Sequence, residues 1–260
     1  MKRFRAVPAI VLLLLICTST VELHAQTAPG EDALGIPFID ISVRDAASDQ
    51  EVGLSLQILL ILAVLSLAPS IIILLTSFLR IAIVLDFVKR ALSLQQVPPS
   101  QVLMGVALFM TLFIMFPTLQ QVYDEAFVPL SDGEIGLEEA YENFEGPMRH
   151  FMYRQMHGNP DNIRLFMRMA GLPRPSNLSE VPTYVLIPAF ILHEMTVAFQ
   201  IGILLFVPFI VIDMVVASTL MSMGMIMLPP IMISLPFKLI LFVLIDGWTL
   251  LTQQLVASFL

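Results

Sequence analysis

From Val52 to Leu79 no charged side chain occurs. An apolar run of that length is long enough to cross the roughly 30 Å hydrocarbon core of a bilayer as a helix. In lipid every backbone polar group must be satisfied within the protein, so a span is either a helix or part of a closed barrel. A helical first span is expected. Further apolar segments occur at Val102 to Phe116, at Val185 to Ile212, and from Lys238 to Leu260 with Asp246 as an interruption. With 57% hydrophobic and 13% charged residues, the whole chain has the composition of a membrane protein rather than of a soluble domain. The expected fold is all-α, a multi-pass helical membrane protein of bent helical hairpins with a small helical insertion on the far, periplasmic side.

Residues 1–25 have the pattern of a secretory signal peptide. Lys2, Arg3 and Arg5 form its basic start, Ala9 to Ile16 its apolar run, and Ala25 the cleavage residue. A lipoprotein reading of Cys17 is disfavoured because the bulky Ile16 precedes it. Cys17 is the only cysteine, so cleavage would leave no thiol chemistry in the mature chain. Residues 26–51, with Pro29, Gly30, Pro37 and scattered acids, lack helical periodicity and are expected as a flexible periplasmic leader.

Residues 52–116 are expected as a first helical hairpin. Pro69 would kink its first helix, and Arg80, Lys89 and Arg90 would form a short basic loop on the cytoplasmic side. Val102 to Phe116 would be about 22 Å long as a helix, short for a span facing lipid. Residues 117–183 carry most of the charge and are expected as a periplasmic insertion of two or three helices. Pro160 and Asp161 mark one helix start, which Gly171 and Pro173 would end, and Ser131 with Glu134 would form a capping box ahead of a helix broken near Gly146-Pro147. Residues 184–260 form the second hairpin, bent at Pro188 and Pro208, with a methionine-rich loop at 220–230 closed by Pro229 and Pro230.

Several chemistries are excluded by inspection. There is no Gly-rich phosphate loop, no Gly-x-Ser-x-Gly elbow and no cysteine pair for a metal. The net charge of −8 sits mostly between residues 124 and 145, so no surface is suited to nucleic acid. His193-Glu194 would need a second histidine one turn on for a zinc site, and that residue is Val197. No metal, no cofactor and no catalytic residue is expected. The charges within apolar segments are Arg80, Glu194, Asp213, Lys238 and Asp246. Each would cost about 2.5–3.5 kcal/mol at a bilayer centre, so each needs a partner or water. Two readings stay open for Arg80, Asp213 and Lys238: snorkelling at helix ends, or pairing within the membrane or between subunits. Glu194 and Asp246 are expected to pair. Lys238 and Asp246 lie about 12 Å apart along one helix and cannot pair directly, so each is expected to look to another chain.

Leu220 to Pro230 alternates methionines with other residues until two prolines forbid an ordinary helix. Methionine is unbranched and adapts to irregular surfaces, so a ring of such loops would close a pore and deform around a passing chain. The plainer reading is that these methionines fill gaps in a membrane core.

Several ordered blocks resemble the FliP family of flagellar biosynthesis proteins, related to a subunit of virulence type III secretion systems. They are Leu67 to Ser70, Thr76 to Ile81, Ile187 to Phe190, Ala198 to Gly202, Val207 to Phe209, Ile212-Asp213, Gly224 to Pro230, Leu235 to Lys238 and Asp246 to Trp248. The resemblance implies an all-helical core subunit of the flagellar protein export gate in the bacterial inner membrane at the flagellar basal body. It further implies a homo-oligomeric, pentameric ring with FliQ and FliR as partners, FlhA and FlhB in the same apparatus, and unfolded flagellar subunits as cargo. The family's methionine gasket falls on Met225, Ile226 and Met227, where isoleucine replaces the more flexible residue at the middle position. The long leader favours the flagellar over the virulence system. The rival from another class is a proton-coupled secondary transporter, since bent helices and buried carboxylates also line such sites.

Overall fold

The computed structural model describes residues 49–94, 97–156, 160–225 and 229–259. The expected signal, Cys17, Ala25 and nearly all of the leader lie outside them. Residues 53–260 form one compact unit. Its regular elements, among the described residues, are helical throughout: α1 (Asp49–Leu74), α2 (Phe78–Ala91), α3 (Ser100–Val122), α4 (Val128–Ser131), α5 (Leu137–Met156), α6 (Asp161–Met169), α7 (Thr183–Ser222), α8 (Pro230–Leu244) and α9 (Gly247–Ala257). A π-helical turn, Tyr123–Phe127, joins α3 to α4, so helical backbone continues from Ser100 to Ser131. That stretch and α7 are both long and apolar enough to cross a membrane, and α8 with α9 would make a third span bent by 65° at Ile245-Asp246.

The first hairpin differs from expectation in its return. Residues 78–91 form a helix, not a basic loop. Ile81, Val84, Leu85 and Val88 recur at helical spacing and are buried, while Asp86 and Arg90 pair on the outer side at 2.7 Å. The charges that suggested a loop are the polar face of an amphipathic helix. α1 runs through position 69 without losing its helical assignment and ends at Leu74. From Leu56 to Leu67 its apolar side chains are exposed within this chain.

The short span at Val102 to Phe116 also differs. α3 begins at Ser100 and continues beyond Phe116 through Pro117, so the extra length lies forward, toward the acidic segment. In the insertion, Ser131 ends α4 and donates to the Val128 carbonyl at 2.8 Å, so no capping box forms with Glu134. α5 runs unbroken through Gly146 and Pro147. α6 has Pro160 just before its first residue and buries Ile163 and Met167, with Phe166 half-buried and Ala170 exposed. Gly171, at φ +69°, turns the chain away with a left-handed residue that favours glycine.

Two apolar cores hold the unit together. One gathers Ile81, Val84, Leu85 and Val88 of α2 with Ala107, Ala198, Phe209, Phe242, Leu251, Leu255 and Phe259. The other joins Phe151, Met152 and Met156 of α5 and Ile163 and Met167 of α6 to Leu186, Ala189 and Phe190 of α7, with Met115 of α3. α7 takes part in both and is the spine of the molecule. The insertion is fastened to its start by Arg149, whose Nη2 donates to the carbonyls of Leu178 (3.0 Å) and Val181 (2.7 Å), and whose Nη1 bonds the Thr183 hydroxyl.

Candidate functional site

α2 is short, but α7 holds it at both ends through charge. Near its start, Arg80 is 1% exposed and faces Glu194, which is 0% exposed. Arg80 Nε donates to Glu194 Oε2 at 2.9 Å and Nη2 to Oε1 at 2.5 Å, the two-pronged geometry in which a planar guanidinium matches a carboxylate. The remaining arm, Nη1, donates to the Ser258 carbonyl at 2.7 Å and to its hydroxyl at 3.1 Å. The Phe259 ring lies 3.9 Å from the guanidinium carbon. Gln155 of α5 donates to the Phe259 carbonyl at 3.2 Å. One buried cation thus ties α2 to α7 and to the end of α9's chain.

At the other end of α2 the cation comes from α8. Lys238, 2% exposed, donates from Nζ to Asp213 Oδ2 at 2.7 Å, to the Ser93 hydroxyl at 2.8 Å and to the Ala91 carbonyl at 3.2 Å. Ala91 is the last residue of α2, and its carbonyl has no intrahelical partner, so Lys238 caps that terminus and complements its dipole. The other oxygen of Asp213 accepts from the Ser234 hydroxyl at 2.5 Å. Three donors on the ammonium thus meet three acceptors, which is what a charge withdrawn from water requires.

Glu194 and Asp213 are about 28 Å apart along α7 at 1.5 Å per residue. Between them the Phe87 ring of α2 stands edge-on to Phe199 and Phe206, at centroid distances of 5.2 and 6.0 Å. Gly202 admits that ring, since a Cβ there would lie 2.6 Å from it. α2 and α7 therefore run parallel with an ion pair at each end and a ring in the middle.

Four of the five expected charges are thus joined two by two within this chain. Arg80 and Lys238 are buried rather than snorkelling, and Asp213 lies inside α7, not at a helix end. Lys238, expected to look to another chain, finds its carboxylate in its own. Asp246 is different: it is exposed, sits at φ +51° in the break between α8 and α9, and has no ion pair among the described residues. Gly247 beside it faces Phe242, whose ring would lie 2.3 Å from an added Cβ. Of the expected kinks, Pro188 and Pro208 lie inside α7, while Pro229 and Pro230 are the cap and first residue of α8 and so open a helix rather than bend one. Ser93, Ser234, Ser258 and Phe259 complete the ion-pair sites and carry no sequence signal that would have singled them out.

The methionine segment is only partly a loop. α7 runs to Ser222, and Gly224, at φ +74°, stops it: its N–H bonds the Met221 carbonyl at 3.0 Å and the Met225 N–H bonds the Leu220 carbonyl at 3.0 Å. This is the paired hydrogen-bond arrangement of a glycine helix stop. Met221, Met223 and Met225 are exposed there, Met225 at 40%. Ile226 and Met227 lie outside the described residues.

Fold and site together define a helical membrane protein in which one long helix carries a charge-clamped parallel helix and ends at an exposed methionine turn. The chain belongs to the FliP family, whose family model matches residues 61–255. It is 62% identical over 232 residues to the flagellar biosynthetic protein FliP of Treponema denticola, covering 89% of this chain and 86% of that protein. The FliP of Borreliella burgdorferi is 56% identical, covering 90% of this chain and 91% of its own length. The FliP of Bacillus subtilis is 49% identical, covering 84% of this chain and 98% of its own length.

Proposed function

We propose that this chain is a core subunit of the flagellar protein export gate, a non-enzymatic channel component through which unfolded flagellar proteins cross the bacterial inner membrane. Its copies assemble with FliQ and FliR as a closed ring, FlhA and FlhB belong to the same apparatus, and the methionine segments meet at the lumen. The flagellar names of the relatives support the process. The observation that carries the channel reading is the glycine stop at Gly224, which leaves methionines exposed between the long apolar α7 and the shorter apolar α8. Around a shared lumen an exposed methionine turn forms a soft seal, because the unbranched side chains adapt to whatever passes.

Assembly is the other half of the proposal. α1 and much of α7 carry apolar faces that this chain does not cover, and Asp246 is a carboxylate without an in-chain counter-ion among the described residues. Neighbouring subunits shield the first and neutralise the second. Co-purification with FliQ and FliR, followed by a mass measurement, tests this: several copies per complex are expected, and Asp246→Asn should lower the yield of assembled complex. A lone chain that takes up a small solute with saturable kinetics would replace the gate by a carrier.

A further inference from the structure

The geometry points to a head-to-tail contact between copies in the helical insertion, in which the apolar groove beside α4 of one copy receives the outer face of α6 from the next. It rests on the ring proposed above. The groove, about 780 Å³, lies between the π-helical turn with α4 and the first half of α5. Its lining is almost wholly apolar: Phe127, Leu130, Leu137, Tyr141 and Phe144 contribute and are exposed in this chain. A concave apolar surface on a water-facing insertion needs a cover.

Charge selects the occupant. From Asp124 to Glu145 every charged side chain is a carboxylate, whereas from Gly146 to Arg174 Asp161 is the only carboxylate and the rest are basic. Glu138 and Arg154, both exposed on α5, are about 24 Å apart along that helix, too far to pair within one copy. α6 buries Ile163 and Met167 and turns Arg164, Leu165, Arg168 and Met169 outward, so its free face carries two apolar side chains flanked by Arg168 and by Arg164, which also pairs with Asp161 on its own helix at 2.9 Å. That face is complementary to a groove that is apolar inside and acidic at its rim. The leader is the poorer fit, because Glu31, Asp32, Asp40, Asp45, Asp49 and Glu51 stand against the single Arg44 and would meet the acidic rim with like charge. Because groove and helix are different patches, the contact is heterologous, and repeating it builds a ring rather than an isolated pair.

Cysteine cross-linking in membranes tests it, in a Cys17→Ser background of the full chain with its partners. Tyr141→Cys combined with Leu165→Cys, treated with a short bis-maleimide, should give a ladder of covalent multimers, while each single variant gives monomer only. Phe144→Cys with Met169→Cys asks the same question should the first pair assemble poorly. Arg164→Glu with Arg168→Glu should reduce the ladder at least tenfold, and adding Glu138→Arg and Glu142→Arg should restore it. Dimers from a single-cysteine variant would mean a two-fold contact and overturn the inference. So would absence of a ladder in complexes of normal mass, an outcome that leaves the export-gate reading intact.

Discussion

Arg80 and Glu194 show what a buried ion pair contributes at the residue scale. Withdrawing both charges from water is costly, and two-pronged pairing with the Ser258 carbonyl on the third arm offsets that cost. The pair adds little net stability over a well-packed apolar replacement, but losing one partner leaves the other charged and buried. Glu194→Gln should therefore destabilise the purified chain by about 3–5 kcal/mol in chemical unfolding, and Arg80→Leu with Glu194→Leu together by much less. Single and double changes of equal cost would refute the pairing as the source of the effect. That Arg80, Glu194, Asp213 and Lys238 each need a partner or water was legible in the sequence, since charge in an apolar run is expensive, while snorkelling and pairing stayed open for three of them. Their pairing was not: residues 80 and 194 meet only because two distant helices run parallel, and neither Ser258 nor Phe259 stands out before the chain is folded.

Among the elements, α2 is the one that the charge pattern concealed. Arg80, Asp86, Lys89 and Arg90 suggested a loop, yet the apolar residues between them recur at helical spacing and bury one face. α7 was legible as an apolar helical span containing Pro188 and Pro208, but its extent was not. Asp213 looked like an end, whereas a carboxylate satisfied by Lys238 and Ser234 is tolerated within the helix, which then continues to the Gly224 stop. The α2–α7 packing depends on the Phe87 ring lying over Gly202, with Phe199 and Phe206 limiting its movement. Gly202→Ala should cost about 1–3 kcal/mol by overpacking, and Phe87→Leu should suppress much of that loss. A thermal melt of the two variants in detergent measures both; an unaltered midpoint for Gly202→Ala would mean that the helices are not pressed together there.

At the scale of the whole molecule, the helical class and the family were readable from apolar run lengths and from ordered sequence blocks, whereas the four apolar segments did not translate into four spanning helices: among the described residues two helices are long and apolar enough to cross, and α8 with α9 would make a third. The insertion was readable as a charged helical region, but not as one with an acidic apolar groove at one end and basic helix at the other, because the groove exists only where the π-helical turn folds over α5. The exposed apolar length of α1 and α7 belongs to the same scale: the chain satisfies four of its charges internally and leaves these apolar faces open, and the proposed assembly gives them neighbours. What that assembly encloses is the central claim. Ion conductance of the reconstituted complex with FliQ and FliR tests it most directly. The account predicts a closed baseline, and a clear rise in leakage when Met225→Ala and Met227→Ala are combined; conductance unchanged by that pair, in a complex of normal mass, would contradict it.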